Sequence, residues 1–367
     1  MSLSKRLIAG GGDSPNWMGT AEYTGNTGTR TFSGLSNPPD LLLFQAQDSG
    51  YYPCIVSRAY PKMIYYASVN AAIGDWSTTN VVNFTDDGFT IPTNTYTDNS
   101  QVGINKNGVN WIVNSFSAGD GFVTNNVGST TTQVNANPDM GFSIVKWTGG
   151  GDNSSYGHGL NSEPRLIITQ RVIQQYINPN WITSFRDSSN NWKAGRASGQ
   201  GILRGDNYTP GGAGQADGNS ADSTKFYVGT DDDAGGDTAY DFIAYIFTDL
   251  SAAGTKFFQL AGNSSGTQRN YGCGFDPKLL MTFTNDVGFG ALMNYLMASS
   301  GSSSQWTMTE YNKMNGAGLS GIAGNINFDN ANNRVEFLTT TAAYNKSGHN
   351  YLNFALGGDL FEEMTVS

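Results

Sequence analysis

Residues Gly141–Gln170 read GFSIVKWTGGGDNSSYGHGLNSEPRLIITQ. Phe142, Ile144 and Trp147 alternate with smaller or polar residues and lead into a Gly/Asn/Ser turn region. Gly157-His158-Gly159-Leu160 follows, then the Pro164-Arg165 step and the apolar run Leu166-Ile167-Ile168. Alternation with period two marks a strand, and an apolar run bounded by turn formers marks a buried one. The same order occurs twice more. It runs Tyr23-Thr24-Gly25-Asn26, Gly34-Leu35, then Pro39-Asp40-Leu41-Leu42-Leu43-Phe44. It returns as Leu260-Ala261-Gly262-Asn263, Cys273-Gly274-Phe275, then Pro277-Lys278-Leu279-Leu280-Met281.

Spacing supports three copies. Pro39 precedes Trp111 by 72 positions, Pro164 precedes Phe242 by 78, and Pro277 precedes Tyr351 by 74. The three aromatics open the closing strands Trp111–Phe116, Asp241–Phe247 and Tyr351–Leu356. Solenoid repeats run about 20–50 residues, and these copies are longer, so each can enclose its own core. The expected fold is all-β, three tandem antiparallel β-sandwich repeats of about eight strands each. The expected boundaries are an arm over 1–20, repeat 1 over 21–118, a linker over 119–139, repeat 2 over 140–250, repeat 3 over 251–359 and a tail over 360–367. Gly290–Ser299 (GALMNYLMAS) is the one segment expected to be a short helix. The polar stretch Arg196–Asp222 is long enough to be a functional loop.

Composition agrees with this class and narrows the function. Of 367 residues, 47 are Gly, 12% are aromatic and only 14% are charged, which suits short strands joined by tight turns. The net charge of −10 disfavours nucleic acid and anionic membranes, which recruit basic surfaces. No apolar run approaches the length of a membrane span, and no leader is read at the start, so synthesis in a cytoplasm is expected. Cys54 and Cys273 stand in different copies at different points of the repeat. They read as buried free thiols.

Chemistry is sparse in the sequence. His158 and His349 flank glycines in different copies, and His158 reads as part of the turn before Pro164. No Gly-x-Ser-x-Gly elbow is present. Asp231-Asp232-Asp233 with Asp237 supply the hard oxygen ligands that Ca²⁺ takes, but without the spacing of an EF-hand. No other cofactor is expected. Trp181, Trp192, Tyr65 and Tyr66 are candidates for stacking on a sugar ring, although a β-sandwich core uses the same residues.

The succession of an aromatic residue, Thr-Gly-Asn or Thr-Gly-Gly, Gly-x-Gly-Leu and Pro-x-Leu-Leu/Ile resembles a domain found in tandem in virion proteins of tailed bacteriophages. Gly141-Phe142-Ser143-Ile144-Val145, Gly157-His158-Gly159-Leu160 and Phe242–Phe247 match it best, and the opening Lys5-Arg6-Leu7-Ile8 with its Gly run resembles the start of phage fibre-like proteins. Copy one departs from it at Asn37-Pro38-Pro39. The resemblance spans residues 21–358 and implies a jelly-roll or lectin-like fold with no catalytic residues. It implies a non-enzymatic structural protein on the particle surface, as a tail fibre or spike or a knob-like head decoration. Its partners would be other virion proteins, met through the N-terminal arm, in a homo-oligomer or lattice position. The alternatives are a carbohydrate-binding module for host attachment and a polysaccharide depolymerase.

Overall fold

The computed structural model describes residues 16–46, 54–61, 65–66, 81–93, 103–172, 181–186, 192–196, 221–228, 236–250, 254–262, 269–284, 294–297, 326–329, 332–337, 347 and 350–367. The protein is all-β. Among the described residues there is no α-helix, and no helix is long and apolar enough to cross a membrane.

The first region holds β1 (Met18–Thr24), β2 (Arg30–Ser33), β3 (Leu41–Ala46), β4 (Cys54–Ser57), β5 (Tyr65–Tyr66), β6 (Asn83–Phe84), β7 (Phe89–Ile91) and β8 (Asn110–Phe116). The second holds β9 (Val123–Asn125), β10 (Thr132–Asn137), β11 (Phe142–Thr148), β12 (Ser155–Gly157), β13 (Pro164–Val172), β14 (Trp181–Arg186), β15 (Trp192–Arg196), β16 (Lys225–Tyr227) and β17 (Asp241–Thr248). The third holds β18 (Thr255–Ala261), β19 (Arg269–Gly272), β20 (Pro277–Thr284), β21 (Asn294–Met297), β22 (Ile326–Asp329), β23 (Arg334–Phe337) and β24 (Asn350–Gly357). It is followed by β25 (Phe361–Glu363) and β26 (Thr365–Val366).

Each region contributes one broad sheet and one small one. The broad sheets run β25-β1-β8-β3-β4-β5, β15-β14-β13-β17-β11-β10-β9 and β18-β24-β20-β21. Their shared part has one neighbour order, β1-β8-β3-β4 in the first, β11-β17-β13-β14 in the second and β18-β24-β20-β21 in the third. The small sheets run β26-β2-β7-β6, β12-β16 and β19-β23-β22. Register agrees as well. Leu41 lies opposite Phe116, Leu166 opposite Phe247, and Leu279 opposite Leu356.

The closing strands explain why their sequences are nearly continuous apolar runs. On β17, Phe242, Ala244 and Ile246 face a core enclosed with the β12-β16 sheet, where Tyr156, Phe226 and Val228 lie. Ile243, Tyr245 and Phe247 face the opposite way into a second core. A strand buried on both faces has no solvated row to write as polar residues. β8 divides alike, with Trp111 and Val113 on one side and Ile112 and Phe116 on the other. So does β24, with Ala355 against Phe354 and Leu356.

The second core is common to all three broad sheets. It joins Met18, Leu43 and Phe116 to Phe142, Ile168 and Phe247 and to Met281, Phe354 and Leu356. Phe247 lies 6.0 Å from Phe116 and 5.1 Å from Phe354 between ring centroids, and Phe116 lies 5.7 Å from Phe142. Each such contact adds about 0.5–1.5 kcal/mol beyond area burial.

Several expected boundaries move. Met18–Thr20, expected in the arm, begin β1, because Met18 pairs with Phe116 and is buried in the common core. Residues 119–139, expected as a linker, contain β9 and β10, which extend the second broad sheet through Asn137↔Phe142. Gly141 makes that hairpin possible: its φ is +73°, and a Cβ there would meet the Thr248 hydroxyl at 2.2 Å. The expected tail is two strands. β25 runs parallel to β1, and β26 pairs with β2, so the end of the chain returns to the first region. In the expected helix, Asn294–Met297 form β21 beside β20, since Leu296 and Tyr295 find ladder partners in Leu280 and Met281.

Candidate functional site

The turn between β12 and β13 and the link after β17 meet at one end of the second broad sheet. Ser162, Glu163, Arg165 and Asp249 line a cleft there of about 450 Å³. Pro164 opens β13 opposite Thr248, which brings the two chain segments side by side. The guanidinium of Arg186, the last residue of β14, donates from Nη1 to Glu163 Oε2. Arg186 is buried, whereas half of the Glu163 side chain is exposed. The indole of Trp192 pairs across from Arg186 on β15, with its centroid 5.9 Å from the guanidinium carbon. The cleft thus carries two carboxylates, a guanidinium and a hydroxyl, with a half-buried aromatic ring one residue behind its wall. Such a set can hydrogen-bond a hydroxyl-rich molecule in both senses, carboxylates accepting and guanidinium donating.

The sequence candidates do not form one constellation. Trp181 and Trp192 stand at opposite ends of β14 and its partner, since Trp181 pairs with Gln170 and Trp192 with Arg186. Five strand steps separate those positions, about 17 Å. Tyr65 and Tyr66 pair with Ile55 and Cys54 at the edge of the first broad sheet. Asp231, Asp232 and Asp233 lie outside the described residues. Asp237 closes a turn, its Oδ1 accepting the Ala239 N–H at 2.9 Å. Among the described residues no group of three His, Cys, Asp or Glu side chains is placed to hold a metal. Cys54 and Cys273 are free and buried.

His158 is a turn residue, as its flanking glycines suggest. Its ring is buried, Nε2 lies 3.0 Å from the Asp222 carbonyl, and Nδ1 accepts the Leu160 N–H at 3.2 Å. These roles require the neutral ring with its proton on Nε2, and burial holds the imidazole below its ordinary pKa. Gly159 follows at φ +74°, where a Cβ would press on Val134. The Asp222 carboxylate accepts from the Thr224 N–H, the Thr224 hydroxyl and the Lys225 N–H. Burial raises its pKa, but these bonds outweigh it and hold the carboxyl below the usual range.

The corresponding end of the first broad sheet carries a related pair. Arg58 Nε lies 3.5 Å from Asp40 Oδ1 and donates to the Pro39 carbonyl at 2.8 Å. Asp40 Oδ2 accepts the Ala118 N–H at 2.9 Å. Burial pushes the Asp40 carboxyl up to about 6 against the lowering effect of these donors. Asp40 therefore ties the start of β3 to the chain leaving β8.

Sequence reasoning passed over Ser162, Glu163, Arg165, Arg186 and Asp249. Each is an ordinary polar residue at a strand end, and the outermost are 87 positions apart. Only the adjacency of β13 with β17 and β14 assembles them.

No curated protein and no solved structure is similar to the chain. The model of one family matches residues 13–358, nearly the whole length and β1 through β24, and the chain belongs to that family, the DUF7483 domain of unknown function.

Proposed function

We propose that the chain is a non-enzymatic structural protein of a tailed-bacteriophage particle, built of three tandem jelly-roll or lectin-like β-sandwich repeats. The observation that carries this reading is the double burial of the three broad sheets. Each pairs with a small sheet around its own core, and all three turn their other faces to one common core. Three repeats in one chain then occupy the place of three subunits in a homotrimer. Covalent linkage fixes the stoichiometry and removes the entropy of association, which suits a rigid surface knob. The low charge and the likeness to tandem virion domains support the same reading.

On this proposal the protein sits on the virion, as a tail fibre or spike component or a head decoration. It contacts other virion proteins in an oligomer or lattice position. It neither binds nucleic acid nor inserts into a membrane, and it needs no cofactor. Immunogold labelling of intact particles from the encoding phage tests it. Label on the head or tail is expected, and particles without label would overturn it.

A second reading is favoured by the cleft beside Trp192: recognition of a host-surface glycan by the same knob. Binding on a glycan array should be lost in Trp192→Ala with thermal stability kept. Unchanged binding would remove Trp192 from the reading.

A further inference from the structure

β1 and β11, corresponding strands of the first two broad sheets, have their outer edges covered in different ways. β10 covers β11 as its own hairpin neighbour, over five antiparallel rungs. β25 covers β1 from the opposite end of the chain and runs parallel to it, the one parallel pairing between named strands among the described residues. A parallel pair cannot form as a hairpin, so this strand reaches β1 from elsewhere in the fold. Phe361, Glu362 and Glu363 pair with Met18, Gly19 and Thr20, and Thr365 and Val366 with Ser33 and Phe32. Between the two ladders the Met364 N–H donates to the Thr20 carbonyl at 2.9 Å, and Ser367 and Thr31 exchange two backbone bonds of 2.9 Å each. β25 and β26 are outermost in their sheets, so no further strand depends on them for a partner.

The first region is shaped to receive this segment. A Cβ at Gly19 would meet Leu35 Cδ2 at 2.2 Å and Met364 Cγ at 3.4 Å, so the bare glycine leaves a notch for both side chains. Met364 is buried there, within the core between the first pair of sheets. Beside it, the Glu362 carboxylate accepts the Ser36 N–H at 2.6 Å and the Ser36 hydroxyl at 2.7 Å. Just upstream the chain is held by the third region instead. The Gly357 N–H donates to the Gly254 carbonyl at 2.9 Å, and the Gly358 N–H to the Asp276 carbonyl at 2.7 Å. Gly358, at φ +66°, stands at the change of sides. We propose that β1 and β2 form a strand-accepting groove and that residues 361–367 are its exchangeable donor strand, so that the groove fits the same segment of a second copy of this chain. Backbone bonds supply the affinity and the notch at Gly19 the register, as in other strand additions. Two copies with exchanged strands keep the contacts that one copy makes with its own, the condition under which swapping costs little. The groove is independent of the virion location proposed above, and its failure would leave that location untouched.

The full chain tests this with a specific-protease site inserted between Gly358 and Asp359 and cut after folding. A fluorescent synthetic peptide of residues 359–367, added in excess, should replace the native strand up to one label per chain. The amides of β8, β17 and β24 should keep their hydrogen-exchange protection meanwhile. A peptide carrying Met364→Asp should bind about tenfold or more weakly, because its carboxylate would have to enter the notch at Gly19. No uptake of label, loss of protection in β17 and β24 on cutting, or equal binding of the two peptides would each overturn the proposal. In the uncut chain, the amides of residues 361–366 should exchange about tenfold or more faster than those of β8, since release of the strand leaves the rest folded. Equal rates would mean that the strand leaves only when the whole chain unfolds, and would overturn it as well.

Discussion

Arg58 follows β4 and Arg186 ends β14, and each meets a carboxylate beside a proline, Asp40 after Pro39 just ahead of β3 and Glu163 before Pro164 at the start of β13. The two pairs differ in burial. Asp40 is buried, receives the Ala118 amide and has its carboxyl raised to about 6. Glu163 is half exposed and borders a cleft, while its guanidinium is the buried partner. One pair is a joint between the start of β3 and the chain leaving β8, and the other is a wall. Pairing alone does not set the energetic weight of such a contact. What matters is whether water or another acceptor or donor can reach the group left behind when its partner is removed.

The largest effect expected from breaking this comparison is at Arg58. Arg58→Met leaves the Asp40 carboxylate buried without its cation and should cost about 3 kcal/mol or more at neutral pH, read by urea unfolding. The Asp40 joint should also be visible as a pH dependence. Its folded carboxyl titrates near 6 and the unfolded one near 4. The stability it contributes is therefore full below about pH 4 and lost as pH rises through 6. The loss is about 3 kcal/mol over that window, and Asp40→Asn should abolish it. A persisting slope in Asp40→Asn would refute the assignment.

His158 should act with the opposite sign. Its folded pKa is lowered, so its contribution is present above the unfolded value of about 6.5 and is lost as pH falls below it. The slope is at most about 1.4 kcal/mol per pH unit. It should stand out in the Asp40→Asn background and vanish when His158 is replaced by Gln. The smallest effect is expected at the cleft. Glu163→Gln keeps an acceptor for Arg186 and should change stability by about 1 kcal/mol or less. A cost comparable with Arg58→Met would mean that the two pairs are equivalent after all.

The strand grammar around Pro39, Pro164 and Pro277 was legible because local rules govern it. Apolar runs between turn formers are strands wherever they lie. The turn role of His158 was legible for the same reason. The helix expected at Gly290–Ser299 failed at Asn294–Met297 because its apolar residues suit either state, and the neighbouring ladder of β20 decides between them. The linker and tail failed similarly. Residues 132–137 (TQVNAN) and 361–366 (FEEMTV) carry weak signals of their own. They become strands because β11, β1 and β2 offer them unpaired edges. The stacking candidates were chosen by residue type, and type says nothing about which ends of a sheet two tryptophans occupy.

By itself the sequence determined the all-β class and the three returns of one pattern, since periodicity and turn chemistry act over a few residues. It also marked Leu166-Ile167-Ile168 as a buried strand, legible as an apolar run bounded by turn formers. Only the tertiary structure decided what the second buried face meets. The common core around Phe116, Phe247 and Phe354 joins residues more than 100 positions apart, and hydrophobic contact carries no local signature of its partner. The cleft at Glu163 and the joint at Asp40 follow from the same long-range packing.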